Sequence, residues 1–598
     1  MSSSPSSQSP PKIYTSHLPP VQVAQQSVWS FLFHEDSNSS SLASPASAST
    51  HEVAPPSPPD DNYLSDPDAN ADSAVAYIDF DTSRSLTFYE VKKSSLRLAW
   101  GLKRTMGLKK GDFVMFFSPN SLAWPIVLFG CVAVGLRITF APCTSTAREL
   151  AAQYEDSRPK VLFAARQLLE VTRRMFALVR EEMKFGRVVV MDLDSGTGGG
   201  SDKQSRTERE LCDLIKEDAG QLLLPEPFDG SRAEETVFVC YSSGTTGKPK
   251  GVETSHKNVC TVLRTTQAVW KGCEAPHDVY IAILPFYHIF GLLMLLHYPP
   301  MRRRPVVLLS DGFKPETFCQ AVQKYRVTTV CLVPPIMQAL ATDPCVENYD
   351  LSSLTNLTSG ASFLSAQVAN KCLSRLRGRG AKSIIAIQGC GSTETSCPAL
   401  IVPPRDSVRK FGCVGVLVPN LEARLVHEDG SDVQDGERGE MWVRGPTVFK
   451  GYLNRVEGTQ EAFANASLGR GLEEGRGGRW YKTGDMMRVD EEGYWYIVDR
   501  KKEMIKWKGI QIAPAEIEAI LSENEEVGDV GVVGVPDGGG TGDELVRAYI
   551  RPSNPTLLQD TSTKYAFQQR IEIWFRGQVG YPKWLRGGVR AVEVVPKG

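Results

Sequence analysis

The sequence predicts an α/β protein with a large layered N-terminal body and a small, mobile α+β body at its C-terminal end. Three observations predict it. From Ala76 onward, short apolar runs alternate with segments of helical period, as α/β layering requires. Past Asp499-Arg500 the pattern changes, and the ~100 residues that follow are enough for a small separate domain. The full 598 residues also exceed what one ordinary core organises.

Taken in order, Met1 to Pro11 is rich in Ser and Pro. Residues 37–72 carry Ser, Ala, Pro and Asp with almost no large apolar side chain, too little burial to offset the entropy of ordering. They are expected to form a disordered insertion within an N-terminal segment, 1–75. The large body, 76–499, opens with a strand at Ala76 to Phe80, an amphipathic helix from Phe88 to Leu102 and a strand at Val114 to Phe117. Leu122 to Leu136 reads as a buried helix. It falls short of the ~20 residues a membrane span needs, holds Pro125 and Gly130, and meets Arg137 at once. Glu235 to Tyr241 alternates as a strand does. Ser255 can cap a helix whose apolar face is Val259, Val262, Leu263, Val269 and Trp270. Asp194 to Ser205 and Leu468 to Arg479 lack periodicity and read as surface loops, and Arg302-Arg303-Arg304 as a solvated turn. In the last body, 500–598, Pro514 starts a helix with Ile517, Ile520 and Leu521 on one face. Strands follow at Val530 to Val535 and Leu545 to Ile550, then a helix through Phe567, Ile571, Trp574 and Phe575, and a last strand at Val589 to Val595.

Lys+Arg is 67 against 69 Asp+Glu, so no basic excess recommends a nucleic acid as partner. Thirteen cysteines stand without a C-x-x-C pair or metal-ligand spacing, and no signal peptide opens the chain. These features predict a soluble enzyme with reduced thiols, in the cytoplasm.

The stretch that points to chemistry is Tyr241 to Gly251, with five hydroxyl side chains, three glycines and two lysines in eleven residues. At the junction between the strand before it and the helix after it, such a loop suits a polyphosphate. Glycines let backbone N–H groups approach oxygens, hydroxyls donate and lysines supply charge. The nucleotide P-loop pattern does not fit, because Pro249 follows Gly247-Lys248 and Ser242 occupies the position of the first glycine.

Further strings follow at compatible spacing: Leu284-Pro285-Phe286-Tyr287-His288-Ile289-Phe290-Gly291, Ser359-Gly360-Ala361, and Gln388-Gly389-Cys390-Gly391-Ser392-Thr393-Glu394. Then come Tyr481-Lys482-Thr483-Gly484-Asp485, Tyr496-Ile497-Val498-Asp499-Arg500-Lys501-Lys502, and Glu503 to Gln511. In this order and wording the chain resembles the acyl-adenylate-forming superfamily and, within it, the 4-coumarate–CoA-ligase-like acyl-CoA synthetases.

The resemblance implies roles residue by residue. Ser242, Ser243, Gly244, Thr245, Thr246, Gly247, Lys248 and Lys250 would hold the phosphates of ATP. His288 would lie beside the acyl group, and Gly360 and Ala361 would pass under adenine and acyl group. Gln388, Gly389, Cys390 and Gly391 would border the nucleotide, Thr393 would contact the α-phosphate, and Glu394 would bind Mg²⁺. Asp485 and Arg500 would take the ribose, and Lys502 would be the hinge of the C-terminal domain. Lys506, Lys508, Gly509 and Gln511 would face the site during thioester formation with coenzyme A. Apolar Ile289, Phe290, Leu292 and Leu293 would line the acyl pocket. Cys390 stands where relatives carry an aromatic residue, removing part of the ~1–3 kcal/mol of base–aromatic stacking. The family's final motif, Pro-x4-Gly-Lys, is not completed. The sequence ends two residues after Pro596, Lys597 is out of register, and a truncated C-terminal domain is expected. A peroxisomal address is the alternative should the true C-terminus lie further on.

The implied activity is ATP-dependent conversion of a small carboxylic acid, aryl or medium-chain, to an acyl-adenylate and then to its coenzyme A thioester. Two alternatives stay open: a luciferase-like oxygenase on the same scaffold, and an adenylation-impaired paralogue that only binds ligand.

Overall fold

Apolar runs that stand in pairs along the sequence become strand–helix pairs. Phe113–Phe117 is a fully buried strand, and the helix that follows, Ala123–Val134, is buried at every residue. Pro125 falls in its first turn, where a missing N–H leaves no hydrogen bond unmade. This helix packs on the amphipathic helix Phe88–Arg104, whose Thr87–Glu90 capping box fixes its start. A Cβ at Gly130 would come within 3.1 Å of Leu98 and of the Ser95 carbonyl, so the glycine allows the two helices their close approach. The computed structural model describes residues 11–33, 73–183, 187–193, 208–216, 221–242, 249–271, 275, 277–360, 364, 366–464, 479–500, 505–507, 510–512, 514–537, 544–579 and 583–596. The predicted insertion 37–72 and the loops 194–205 and 468–478 lie outside these residues.

Two largely parallel sheets carry the large body. One runs in space as Lys250–Ser255, Thr236–Ser242, Arg137–Phe140, Phe113–Phe117, Val161–Ala164, Arg187–Val190 and Glu208–Glu210, with only the first pair antiparallel. The other runs Val416–Leu417, Cys397–Ile401, Ile385–Ser392, Asn356–Ser359, Thr329–Leu332, Tyr280–Ala282, Val306–Leu308, Val75–Asp79 and Ser85–Thr87. It is parallel through the centre and antiparallel at both ends. A third, antiparallel sheet joins Tyr14–Thr15, Glu422–Val426, Gly439–Arg444, Trp480–Val489 and Phe463–Ala464, with Trp495–Arg500 also on Trp480–Val489. Phe116 meets Trp124, Phe140 and Phe163 at ring distances of 5.2, 5.6 and 5.3 Å, in the edge-on arrangement aromatic rings favour.

Two buried histidines belong to this core. His256 stacks on Phe228 at 4.4 Å, and its Nδ1 accepts the Val28 N–H at 3.1 Å, tying the N-terminal helix Val28–Leu32 to the body. Burial pushes its pKa down to about 3. His297 ends a π-helical turn, Leu292–His297; its Nδ1–H donates to the Leu292 carbonyl at 2.7 Å, and burial lowers its pKa to about 4.

Residues of the C-terminal portion form a separate hydrophobic cluster. Ile517 and Leu521 of Pro514–Leu521, Val532 of Val527–Pro536, Ile550 of Glu544–Pro552, and Phe567, Ile571 and Phe575 of Thr561–Arg576 meet in it. The last strand is shorter than its apolar run predicts. It spans Gly588–Ala591, because its partner ends at Pro552, which has no N–H with which to extend the ladder. The three arginines are also not a solvated turn. All are half-buried, and the Arg303 guanidinium lies 4.8 Å above the Phe88 ring, a cation–π contact that composition does not reveal.

Candidate active site

The strand Thr236–Ser242 does not pass directly into a helix, as the sequence reading had it. Lys250–Ser255 returns as a second strand, antiparallel to the first, with Lys250 opposite Ser242, and only then does Ser255 cap the helix His256–Trp270 through a capping box with Asn258. The phosphate-type stretch is therefore the tip of a hairpin. Its return strand was missed because Lys-Gly-Val-Glu-Thr-Ser carries one large apolar residue, Val252, and so gives almost no strand signal.

Ile385–Ser392 leads to the end of the strand Thr236–Ser242, where the Ser242 hydroxyl meets Glu394. A short turn, Thr393–Thr395, follows, and Ser396 and Cys397 take left-handed backbone angles, φ 56° and 77°, that send the chain back as Cys397–Ile401. Glu394 sits in that turn, 7% exposed. Its Oε1 accepts hydrogen bonds from the Ser242 hydroxyl at 3.1 Å and the Tyr452 hydroxyl at 3.0 Å. Among the described residues no cationic side chain pairs with this carboxylate. A buried carboxylate among hydroxyl oxygens suits a hard cation that takes its remaining ligands from phosphate and water. This is how Mg²⁺ binds, in preference to an all-protein cage. No cluster of three or more His, Cys, Asp or Glu residues able to hold a metal occurs among the described residues. Lys250 holds its ammonium 5.0 Å above the Tyr452 ring.

Asp485 lies on Trp480–Val489, directly opposite Arg500 in the neighbouring strand. Gly484, at φ 77°, gives its N–H to Glu440 Oε1 at 3.2 Å, and the Asp485 N–H donates to the Thr483 hydroxyl at 3.1 Å, which fixes the turn of chain presenting the carboxylate.

His288 stands exposed at the cleft, its ring 4.7 Å from that of Tyr287. The surrounding protein still disfavours its charged form and lowers its pKa, so at neutral pH it presents a neutral imidazole. A Cβ at Gly360 would lie 3.3 Å from the Phe290 ring, so the glycine keeps this floor low. Ser359 and Gln388 pair in register at the carboxyl ends of adjacent parallel strands, where open α/β sheets hold ligands. The Ser359 hydroxyl and Gln388 amide nitrogen are buried without partners among the described residues. Ile289 and Phe290 line the cleft as predicted, but Leu292 and Leu293 do not. Both are buried in the core, and the π-helical turn brings Met294 to the wall instead.

Ser242, Lys250, His288, Gly360, Gln388, Gly389, Cys390, Gly391, Thr393, Glu394 and Asp485 thus border one cleft of ≈ 4390 Å³, with Cys390 half-buried. Lys506 and Gln511 face each other in register across the hairpin Ile505–Trp507 and Ile510–Ile512. The side chains of Arg500, Lys506 and Gln511, and all of Ser243, Gly244, Thr245, Thr246, Gly247, Lys248, Ala361, Lys502, Lys508 and Gly509, lie outside the described residues. Tyr452 was not foreseen; its bond to Glu394 spans 58 positions and leaves no local signal.

The profile of the AMP-binding enzyme family matches residues 66–453. A probable CoA ligase, CCL5, of Humulus lupulus is 33% identical over 469 residues, covering 77% of this chain and 78% of its own length. Luciferin 4-monooxygenase of Photinus pyralis is 31% identical over 526 residues, covering 88% of each chain. The anthranilate CoA ligase AuaEII, solved with anthranoyl-AMP, superposes with a TM-score of 0.72 at 23% identity over 88% of this chain and 92% of that one, a likeness of fold. No helix among the described residues is long and apolar enough to cross a membrane. On this geometry and these relatives, the chain belongs to the AMP-binding enzyme family, as an enzyme of its AMP-forming acid–CoA ligase group.

Proposed function

We propose that the cleft activates an aryl or medium-chain carboxylic acid with ATP and passes the acyl group to coenzyme A. The observation that carries this reading is that Ser242 and Lys250 at the base of the hairpin, the buried Glu394, and Asp485 border one cleft that His288 and Phe290 also line. A free acid cannot acylate a thiol, because its leaving group is poor; attack of its carboxylate on the α-phosphate of ATP makes a mixed anhydride and releases pyrophosphate. No covalent enzyme nucleophile is required. The work is positioning and electrostatic stabilisation of charge moving to pyrophosphate.

Glu394 is the residue that would hold Mg²⁺, whose chemistry here is to neutralise phosphate charge. The Thr393 hydroxyl would take the α-phosphate, Ser242 through Lys248 and Lys250 the remaining phosphates, and Asp485 the ribose diol with its two acceptor oxygens. The neutral His288 would border the acyl carboxylate without a competing charge. Asp499 would close the N-terminal domain and Lys502 serve as hinge within a C-terminal domain, 500–598, bringing Lys506 to Gln511 towards the thioester step.

Pyrophosphate release from a panel of aryl and alkyl acids, with and without coenzyme A, tests the reading. Pyrophosphate formed with aryl or medium-chain acids supports it, and none from any acid refutes it. The likeness to luciferin 4-monooxygenase favours a second reading, oxygenation of an adenylate, which light emission on supplying luciferin, ATP and oxygen would establish.

A further inference from the structure

We infer that Tyr452 is a positioning residue that couples the phosphate hairpin to the carboxylate of Glu394; this rests on the ATP-dependent reading of the cleft. Tyr452 is held from its own backbone. The Lys450 N–H donates to the Glu253 carbonyl at 3.1 Å, the Glu253 N–H to the Gly451 carbonyl at 3.0 Å, and the Leu453 N–H to the Gly251 carbonyl at 2.8 Å. Through these bonds, and the bridge between Val252 and Tyr452, the segment 450–453 runs as an added strand beside the return strand of the hairpin. The strand can lie this close because residue 251 is glycine, where a Cβ would already be 3.3 Å from Leu453 and 2.9 Å from Val239.

From that position the ring reaches across to the metal-type carboxylate. Its hydroxyl donates to Glu394 Oε1, the same oxygen that accepts from Ser242 of the outgoing hairpin strand. Among the described residues Oε2 accepts no hydrogen bond, so the two donors orient the carboxylate by one oxygen and leave the other to a cation. The main chain of the two segments is joined as well, since the Phe449 N–H donates to the Glu394 carbonyl at 2.8 Å. Packing fixes the ring itself: Phe449 lies 5.0 Å from it, and Lys250, at the base of the loop, sets its ammonium over the face. Hydroxyl donors that orient a ligand carboxylate act on metal affinity without touching the metal, typically by about 10–100-fold when removed.

The test is Tyr452→Phe, which removes one oxygen from a half-buried ring and leaves the packing in place. ATP binding is followed by calorimetry across a series of Mg²⁺ concentrations, alongside steady-state kinetics. The Mg²⁺ concentration for half-maximal ATP binding is expected to rise about tenfold, at the low end of that range, while KM for the acid stays within twofold. Because Tyr452 acts through Glu394, adding Tyr452→Phe to Glu394→Gln should change nothing further. A Mg²⁺ curve that superimposes on wild type, or an equal further loss in the double variant, overturns the inference. Wild-type protein that binds no ATP at any Mg²⁺ concentration overturns the proposed function and this coupling with it. Intact wild-type binding with an unmoved Tyr452→Phe curve overturns the coupling alone.

Discussion

Lowering the pH from 7.5 to 5.5 should weaken the folded state through its two buried histidines. The folded pKa values are pushed down to about 3 for His256 and about 4 for His297, first by burial. An unfolded imidazole titrates near ~6.5, so the unfolded chain takes up protons that the folded chain refuses. Stability from these groups is therefore complete above that value and is lost as pH falls below it, towards the folded pKa values. Across this interval an unfolded histidine goes from about one-tenth to about nine-tenths protonated, a loss of ~1.4 kcal/mol each and ~3 kcal/mol for the pair. His288, shifted the same way, adds in the same direction.

Geometry makes the refusal specific. His256 Nδ1 is already accepting the Val28 N–H, and a proton there would face another donor. The Nδ1–H of His297 is committed to the Leu292 carbonyl, so a second proton would enter at Nε2, which has no partner among the described residues and belongs to a ring packed edge-to-face with Phe129 and Phe238. Urea unfolding followed by tryptophan fluorescence at pH 7.5, 6.5 and 5.5 measures the slope, in a window where carboxylates stay largely ionised. His256→Asn keeps an acceptor near the Val28 N–H and cannot titrate, so it should flatten the slope by ~1.4 kcal/mol over the interval. A wild-type unfolding free energy that moves by less than ~1 kcal/mol, or a His256→Asn variant with the full slope, would refute the linkage.

Asp485→Ala should abolish the enzyme's discrimination between ATP and its 2′-deoxy and 3′-deoxy analogues, compared by kcat/KM; discrimination that survives removes Asp485 from the ribose site. Gly391→Ala places a Cβ 2.4 Å from the Cys397 carbonyl oxygen. It should lower stability by ~1–3 kcal/mol and weaken ATP binding together, because the strand end that aims Glu394 must shift; thermal melts and calorimetry check both.

Much of this fold is legible because its burial is concentrated in runs. Phe113–Phe117 and Ala123–Val134 are apolar throughout, and no neighbour is needed to recognise them. Glu394 and Asp485 are legible for a different reason. Each stands in a short string, Gln388 to Glu394 and Tyr481 to Asp485, and both border the cleft. What escaped the sequence depends on contacts between distant positions. Lys250–Ser255 is a strand because Thr236–Ser242 offers it an edge; its own polar residues do not call for one. Arg303 is held by a ring contributed from Phe88, and Met294 reaches the wall because a π-helical turn shifts the register of the leucines around it. Tyr452 belongs with these, since only tertiary pairing with the hairpin gives it a place beside Glu394.

The antiparallel closure of the hairpin has a consequence for how the hydroxyl-rich stretch can meet a ligand. Ser242 and Lys250 are register partners, so the stretch between them, 243–249, is anchored at both ends. The entropy of bringing those ends together is lost once, when the protein folds, and does not recur with each catalytic cycle. On the proposed function, a nucleotide would meet a stretch whose two ends, Ser242 and Lys250, are already paired. Ends fixed in this way would take less from the binding free energy of a ligand than capture of a free strand end would, and would stay paired when the ligand leaves.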